Sequence, residues 1–340
     1  MARLIAQRLI GAAGSLLILA TAIFFLLKLV PGDEAIVAAG PGASAATIAA
    51  ERARLGLDSP VFVQYGRYLW RLLHGDFGVS NSSRSPVAHQ IVTLLPATAQ
   101  LVLLTVFFTV VIAIPLASLS AFRTSGVTDA VRRIAVVAIA GVPTFWLALM
   151  LQNLLAAKLG ILPVAGTLSE GLTVPRVTGA VVVDALLAGD PLAAWDAIQH
   201  LFLPALVLAI PNIGYVYRLV RAELVRVLAR NHVMVSRAAG LPESWVIRRH
   251  VVPHALTPAI IILCAEFGGL FGGAILVESI FGQSGIGSLM MNAVGQKDTT
   301  MVEGGVLIIG AIVVASNLLA DVIQLIRDPR IRARESAGTR

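Results

Sequence analysis

Charge is scarce in this chain. Only 13% of its 340 residues are charged, against about 25% in ordinary soluble domains. Hydrophobic residues make up 57% and the mean hydropathy is +0.85, more apolar surface than one soluble core hides. That excludes a soluble enzyme, a disordered tail and a disulfide-stapled scaffold. Cysteine is nearly missing too: Cys264 stands alone, so it forms no internal disulfide and has no companions for a thiolate metal site. Lysine occurs three times, at Lys28, Lys158 and Lys297, never after a glycine, so no Walker A phosphate loop exists. Zinc-helix and Gly-x-Ser-x-Gly motifs are absent and the six histidines are scattered. We therefore expect no catalytic residue and no metal site.

What is present is long apolar runs separated by arginine. A helix needs about 20 mainly apolar residues to cross the hydrocarbon layer. Six segments qualify: Leu9–Val30, Ala97–Phe122, Ile134–Ala157, Leu201–Tyr217, Ala255–Phe281 and Gly304–Ile326. The fourth is short and holds Pro204, Pro211 and Asn212, which points to a packed helix whose freed carbonyls are satisfied by neighbours. The first is too long for a signal peptide and reads as retained. Val177–Ala188, twelve residues with Asp184, reads as an external or re-entrant helix.

The net charge of +7 is placed by topology rather than for nucleic acid. Lysine and arginine number seventeen in the N-terminus, 123–133, 218–254 and 327–340, but eight in the alternate loops 31–96, 158–200 and 282–303. Acidic residues run the other way, five against eleven. Both termini are expected in the cytoplasm.

The segment from Arg218 to His254 is too structured for a linker. Arg221–Ala239 reads as a helix, with Leu224, Val227 and Leu228 on one face. Gly240-Leu241-Pro242 breaks it, Glu243 opens a second helix over Ser244–Val252, and Pro253 marks its end. A helix–turn–helix on the membrane surface suits docking; on charge alone, its arginines equally suit topology and anionic lipid.

Spacing favours docking. Gly240 is followed by nine residues and then by His250-Val251-Val252-Pro253. That resembles the EAA signature of ATP-binding-cassette importer permeases, with Gly240, Val252 and Pro253 in register. Met234-Val235-Ser236 replaces Glu-Ala-Ala, and Ala239 stands where a lysine is common. More closely, His200-Leu201-Phe202-Leu203-Pro204-Ala205, Arg218-Leu219-Val220-Arg221-Ala222-Glu223 and Ser236-Arg237-Ala238-Ala239-Gly240-Leu241 resemble the oligopeptide/dipeptide/nickel branch. So do Val277-Glu278-Ser279-Ile280-Phe281, Asn317-Leu318-Leu319-Ala320-Asp321 and Asp328-Pro329-Arg330-Ile331-Arg332. Leu29-Val30-Pro31-Gly32-Asp33, Leu55-Gly56-Leu57-Asp58-Ser59-Pro60 and Gly75-Asp76-Phe77-Gly78 are similar to its B-type subunit.

The resemblance implies an all-α polytopic membrane protein with six transmembrane helices in the type I ABC importer permease (MetI-like) fold. It would divide into an N-terminal helix and external loop (1–96), a five-helix core (97–330) with its coupling loop (218–254), and a tail (331–340). The implied function is half of a peptide pore in a bacterial-type inner membrane; a nickel or other small-solute importer is the alternative. Implied partners are a C-type permease, two cytoplasmic ATPases that bind ATP and Mg, an extracytoplasmic solute-binding protein and membrane lipid, with no nucleic acid and no cofactor in this chain. The ATPase-coupling residues would be Arg237, Ala238, Ala239, Gly240, Leu241, Pro242 and Pro253, with Arg237 facing an acidic ATPase side chain.

Three acids fall within the spans. Glu278 and Asp321 read as structural pairing or capping groups; Glu266, at mid-membrane beside Gly268, Gly269, Gly272 and Gly273, reads either as a pathway residue drawing a cationic substrate group or as a hydrogen-bonded packing residue. Two rival functions have their own requirements. An ion-coupled secondary transporter calls for internal repeats and chains of buried ionisable groups, and a scaffold has no need of a docking loop.

Overall fold

In a computed structural model the protein is described at residues 2–30, 32–40, 42–122 and 127–327; Pro31, Arg123 and the motif Asp328–Arg332 lie outside the described residues, as does the expected 331–340 tail. The chain begins with α1 (Ala2–Lys28), a long apolar helix. A small cap of short helices follows: α2 (Glu34–Ala39), α3 (Ala45–Leu55) and α4 (Val61–Leu73). Asp33 and Ser44 cap α2 and α3 by accepting from the amides of Ala35 and Thr47, as side-chain oxygens do at orphan helix N-termini.

Next come α5 (Val87–Phe122), α6 (Val127–Ala140) and α7 (Thr144–Leu151), the last continuing as a π-helical turn over Gln152–Lys158. The short α8 (Val181–Leu187) precedes the 38-residue α9 (Pro191–Leu228). Then α10 (Asn231–Ala238) and α11 (Glu243–Val246) lead through a π turn, Ile247–Val251, into α12 (Val252–Ile280). The chain closes with α13 (Ile286–Gly295) and α14 (Thr299–Arg327). No strand occurs among the described residues beyond an isolated bridge between Val79 and Pro86.

Among the described residues five helices are long and apolar enough to cross a membrane, and α6 with α7 makes a sixth span if the pair crosses together. This is an all-α polytopic membrane protein. The third expected span is not a single straight helix: its halves meet at 97° around Gly141-Val142-Pro143. Proline forces the residue before it out of the helical region and cannot donate into the ladder, so α7 restarts after Pro143. The second and fourth spans extend beyond their expected ends. The helix α5 starts at Val87, so the expected boundary at 96 falls inside it, and Pro204 and Pro211 both lie within α9.

The centre of the bundle is α9. It packs against α5, α6, α7, α8, α10 and α12, and 61% of its apolar stretch is buried against 11% for α1. Gly214 permits the closest approach: a Cβ there would lie 2.2 Å from the Cβ of Ala140 at the end of α6. The outer helix α1 leans on α14, and Phe24, Tyr65 and Tyr68 join the cap to it.

Candidate functional site

At the end of the bundle where α9 leaves and α12 enters, the chain forms a knob. The expected helix Arg221–Ala239 is broken: α9 stops at Leu228, and Arg230 is extended (φ −77°, ψ 146°) before α10 begins. The break lets Val233 swing into the bundle. It is fully buried with Val246 and Val251 against Val220, Leu224 and Val227 of α9 and Ala117 and Ala121 of α5. Three valines therefore anchor the knob, and the run Arg237–Pro242 between them is exposed.

The turn itself is left-handed. Gly240 has φ +78° with nothing within 4 Å of where a Cβ would sit, so the requirement is backbone conformation and not space. Its amide donates to the Arg237 carbonyl (2.9 Å) and that of Leu241 to the Ser236 carbonyl (3.3 Å), satisfying the last carbonyls of α10. Across the turn Arg237 Nε donates to Glu243 Oε2 at 3.0 Å and Nη2 to Oε1 at 2.5 Å. Arg237 thus has an acidic partner within its own chain. Around it Met234, Val235, Leu241 and Trp245 are exposed apolar side chains.

Pro253 does not end a helix. The helical path runs from Glu243 to Ile280, with Pro253 exposed in the first turn of α12. The π turn just before it shifts the hydrogen-bond register at the point where proline supplies no N–H.

The three intramembrane acids occupy three different environments. Glu278, fully buried, accepts from Thr98 Oγ1 (2.7 Å) at Oε1 and from the Ser288 amide (3.1 Å) at Oε2. Thr98 in turn accepts from the Ile286 amide (2.8 Å). The carboxylate therefore latches α12 to α5 and to the start of α13. Gly285 and Gly287 make room for it, since a Cβ would fall 2.3 Å and 2.8 Å from its oxygens. In the glycine run 282–287 only Gly282 serves as a left-handed turn, with φ +59°. Asp321 pairs with Arg8, tying α14 to α1 near the knob end. Glu266, the middle residue of α12, is half-buried and makes no hydrogen bond or ion pair with a described residue. Of the glycines near it, Gly268 presses on α14, where a Cβ would stand 2.5 Å from Val313 Cα; Gly269 and Gly272 are exposed and touch no other helix, and Gly273 is exposed with only Leu208 nearby.

Two acids escaped the sequence reading. Glu303, near the start of α14, lines a cavity of about 380 Å³ with Lys28, Glu34, Tyr68 and Arg71. Burial, with Glu303 nearby, pushes the Tyr68 hydroxyl up. Asp298 caps α14 through the Met301 amide (3.1 Å) and gathers the loop 80–82. It accepts from Ser80 Oγ (2.6 Å), Ser82 Oγ (2.8 Å) and the amides of Asn81 and Ser82 (3.1 Å each). Burial opposes its charge, but these donors outweigh burial and hold its carboxyl below the usual range. An aspartate just ahead of an apolar helix is a readable cap signal; its partners more than two hundred residues upstream are not. Among the described residues no group of three or more His, Cys, Asp or Glu side chains is placed to hold a metal ion.

Residues 113–333 match the family described as the inner membrane component of binding-protein-dependent transport systems, and residues 1–102 match the N-terminal family of the same membrane components. A probable D,D-dipeptide transport system permease protein of Escherichia coli (strain K12) is 36% identical over 91% of this chain and 91% of its own. A putative peptide transport system permease protein of Brucella abortus (strain 2308) is 35% identical over 98% and 99%. The dipeptide transport system permease protein of Alkalihalophilus pseudofirmus is 32% identical over 91% and 93%. With family matches over nearly the whole chain and relatives that align from end to end, this bundle of apolar helices belongs to the binding-protein-dependent transport system inner membrane component family, as a multi-pass permease subunit.

Proposed function

We propose that this chain is the B-type half of the pore in an ATP-driven importer of peptides. The observation that carries the reading is the knob: a glycine turn with an exposed run, Arg237–Pro242, pinned to the bundle by Val233 and Val246. Exposed apolar side chains beside an arginine make a protein-docking surface at an end where lipid tails do not reach. The names of the relatives, dipeptide and peptide permeases, support peptide as the substrate.

In this reading the knob end and both termini face the cytoplasm, as the arginine distribution favours. Two ATPases bind ATP and Mg, and one of them seats the knob. A C-type permease supplies the other half of the pore, and an extracytoplasmic binding protein delivers the peptide. Residues 1–96 act as the anchoring helix and external cap, 97–330 as the transporting core, and 331–340 as the tail; the first turns of α5 belong to the cap. When nucleotide closes the ATPases, the knob moves with them. Its buried valines pass that motion to α9, and the continuous path from Glu243 to Ile280 passes it to α12. Ala238 and Ala239 let a partner backbone approach, and Leu241, Pro242 and the rim residue Pro253 shape the contact. Arg237 meets the ATPase with its guanidinium already oriented by Glu243.

Purification of the native complex tests this. Recovery of two ATPases, a second permease and a binding protein loaded with peptide is the expected outcome, and a Gly240→Pro variant should lose the ATPases alone, since proline does not adopt φ +78°. A chain recovered without an ATPase, yet transporting in liposomes on an ion gradient, would overturn it.

A further inference from the structure

We propose that Glu266 contacts the substrate: its carboxylate faces a water-filled passage between this chain and its permease partner and receives the protonated amino group of the passing peptide. This rests on the peptide-importer reading and adds a site and a recognised group to it.

Depth comes first. Glu266 is twelve residues from Glu278 along α12, about 18 Å at helical rise. It is the middle residue of the helix, out of reach of either headgroup layer. An ionised side chain at that depth is costly, and it faces a bundle interior, a paired charge or water. Two other acids meet that condition with direct partners inside this chain, Glu278 with Thr98 and the Ser288 amide and Asp321 with Arg8, while Glu303 lines a cavity that Lys28 and Arg71 also line. Glu266 makes no hydrogen bond or ion pair with a described residue.

Orientation comes second. The rotation of α12 is fixed by its tight side, where Gly268 leaves no room against α14 and Leu270, Phe271, Ala274 and Val277 are buried. Glu266 lies at the border of the open side, in line with Gly269 and Gly273 at the i+3 and i+7 positions. A wholly apolar exposed face, suited to lipid, looks different in this same molecule. On α5 the exposed stripe is Leu103, Phe107 and Val111, 59%, 56% and 50% accessible and wholly apolar. The α12 face instead mixes exposed Leu276 with bare backbone at Gly269 and Gly272 and a carboxylate, a surface better suited to water and close packing than to hydrocarbon.

Chemistry comes third. A carboxylate without a resident cation, in a site of low polarity, is complementary to a transient one. A peptide carries an ammonium at its N-terminus whatever its side chains, so one acid serves many sequences. The glycines leave depth for the peptide backbone beside it.

The test uses the whole importer, with its partner permease, ATPases and binding protein, in liposomes. Glu266→Gln should cut peptide uptake at least tenfold while the complex is recovered in normal yield, and Glu266→Asp should restore most of it. In a Cys264→Ser background, a cysteine placed by Glu266→Cys should react with a membrane-impermeant thiol reagent, and saturating peptide should slow that reaction. Normal uptake by Glu266→Gln, or an assembled Glu266→Cys complex that resists the reagent, overturns the proposal in favour of a packing role. Loss of the partner permease from the Glu266→Gln complex overturns it in favour of a pair with a partner cation. A wild-type complex that carries no peptide sinks the peptide reading itself, and the ammonium site with it. That failure appears without any substitution, so it is distinct from failure of the site alone.

Discussion

The knob and the far end of this bundle treat polar groups in opposite ways. At the far end, Glu278 and Asp298 are buried and each gathers donors from segments distant in sequence. At the knob end, the polar groups of Arg237–Glu243 bond locally and lie in solvent. The first arrangement locks helices together, since a buried acid with its donors in place is stable and one without them is not. The second leaves a shape to be read by a partner. The contrast predicts that substitutions at the far end act on stability, and that substitutions at the knob act on coupling.

The sharpest way to break the comparison is Glu278→Ala. It strands the Thr98 hydroxyl and the Ser288 amide in a buried site, which costs about 3 kcal/mol or more; a thermal melt of the detergent-solubilised protein should show a large fall. Gly287→Ala comes next. Its Cβ would stand 2.6 Å from Ile275 Cα, a backbone atom that does not yield, so about 1–3 kcal/mol is expected by the same assay.

Gly240→Ala should cost about 1–2 kcal/mol locally, the strain of a left-handed alanine. Because the knob is exposed, we expect little change in the melt and a loss of peptide-stimulated ATP hydrolysis. A melt lowered as far as by Gly287→Ala would dissolve the distinction between the two ends.

Acid pH separates them further. The folded carboxyl of Asp298 sits below its ordinary 3.8, so its stabilisation is complete above that value and is lost as pH falls through the lower folded value. Asp298→Asn should therefore flatten the acid limb of a stability–pH curve, and an unchanged limb would remove Asp298 from the lock. The smallest stability effect belongs to Arg237→Ala. Its ion pair is roughly half exposed, so solvent screening leaves it little to contribute. Its effect should appear in ATPase recovery instead.

The far end also holds an exception. Both polar atoms of the Asn81 side chain are buried with no partner among the described residues, although its backbone N–H donates to Asp298.

How legible this was in the sequence depended on the kind of signal. The runs now in α1, α12 and α14 were visible because lipid demands sustained hydrophobicity. That α9 is one long helix was hidden, because Asp196, Gln199 and His200 at one end and Arg218 and Arg221 at the other interrupt its apolar run. The third span, Ile134–Ala157, was read as one crossing because a hydropathy run does not register the 97° bend before Pro143. Between Leu228 and Asn231 there is neither glycine nor proline, so the break before α10 had no local cue; it exists because Val233 gains a buried site. Pro253 misled because a π turn upstream changes what a proline costs.

By itself the sequence determined that the chain is helical, that it belongs in a bilayer, and where the Gly240 turn lies, because hydropathy and backbone sterics act over a few residues. Only the tertiary structure decided which acids are partnered. Glu266 and Glu278 look alike in a hydropathy profile and differ because Thr98 and Ser288 converge on one of them from α5 and from the start of α13. Partnering is a property of three-dimensional neighbours, and no span read singly carries it.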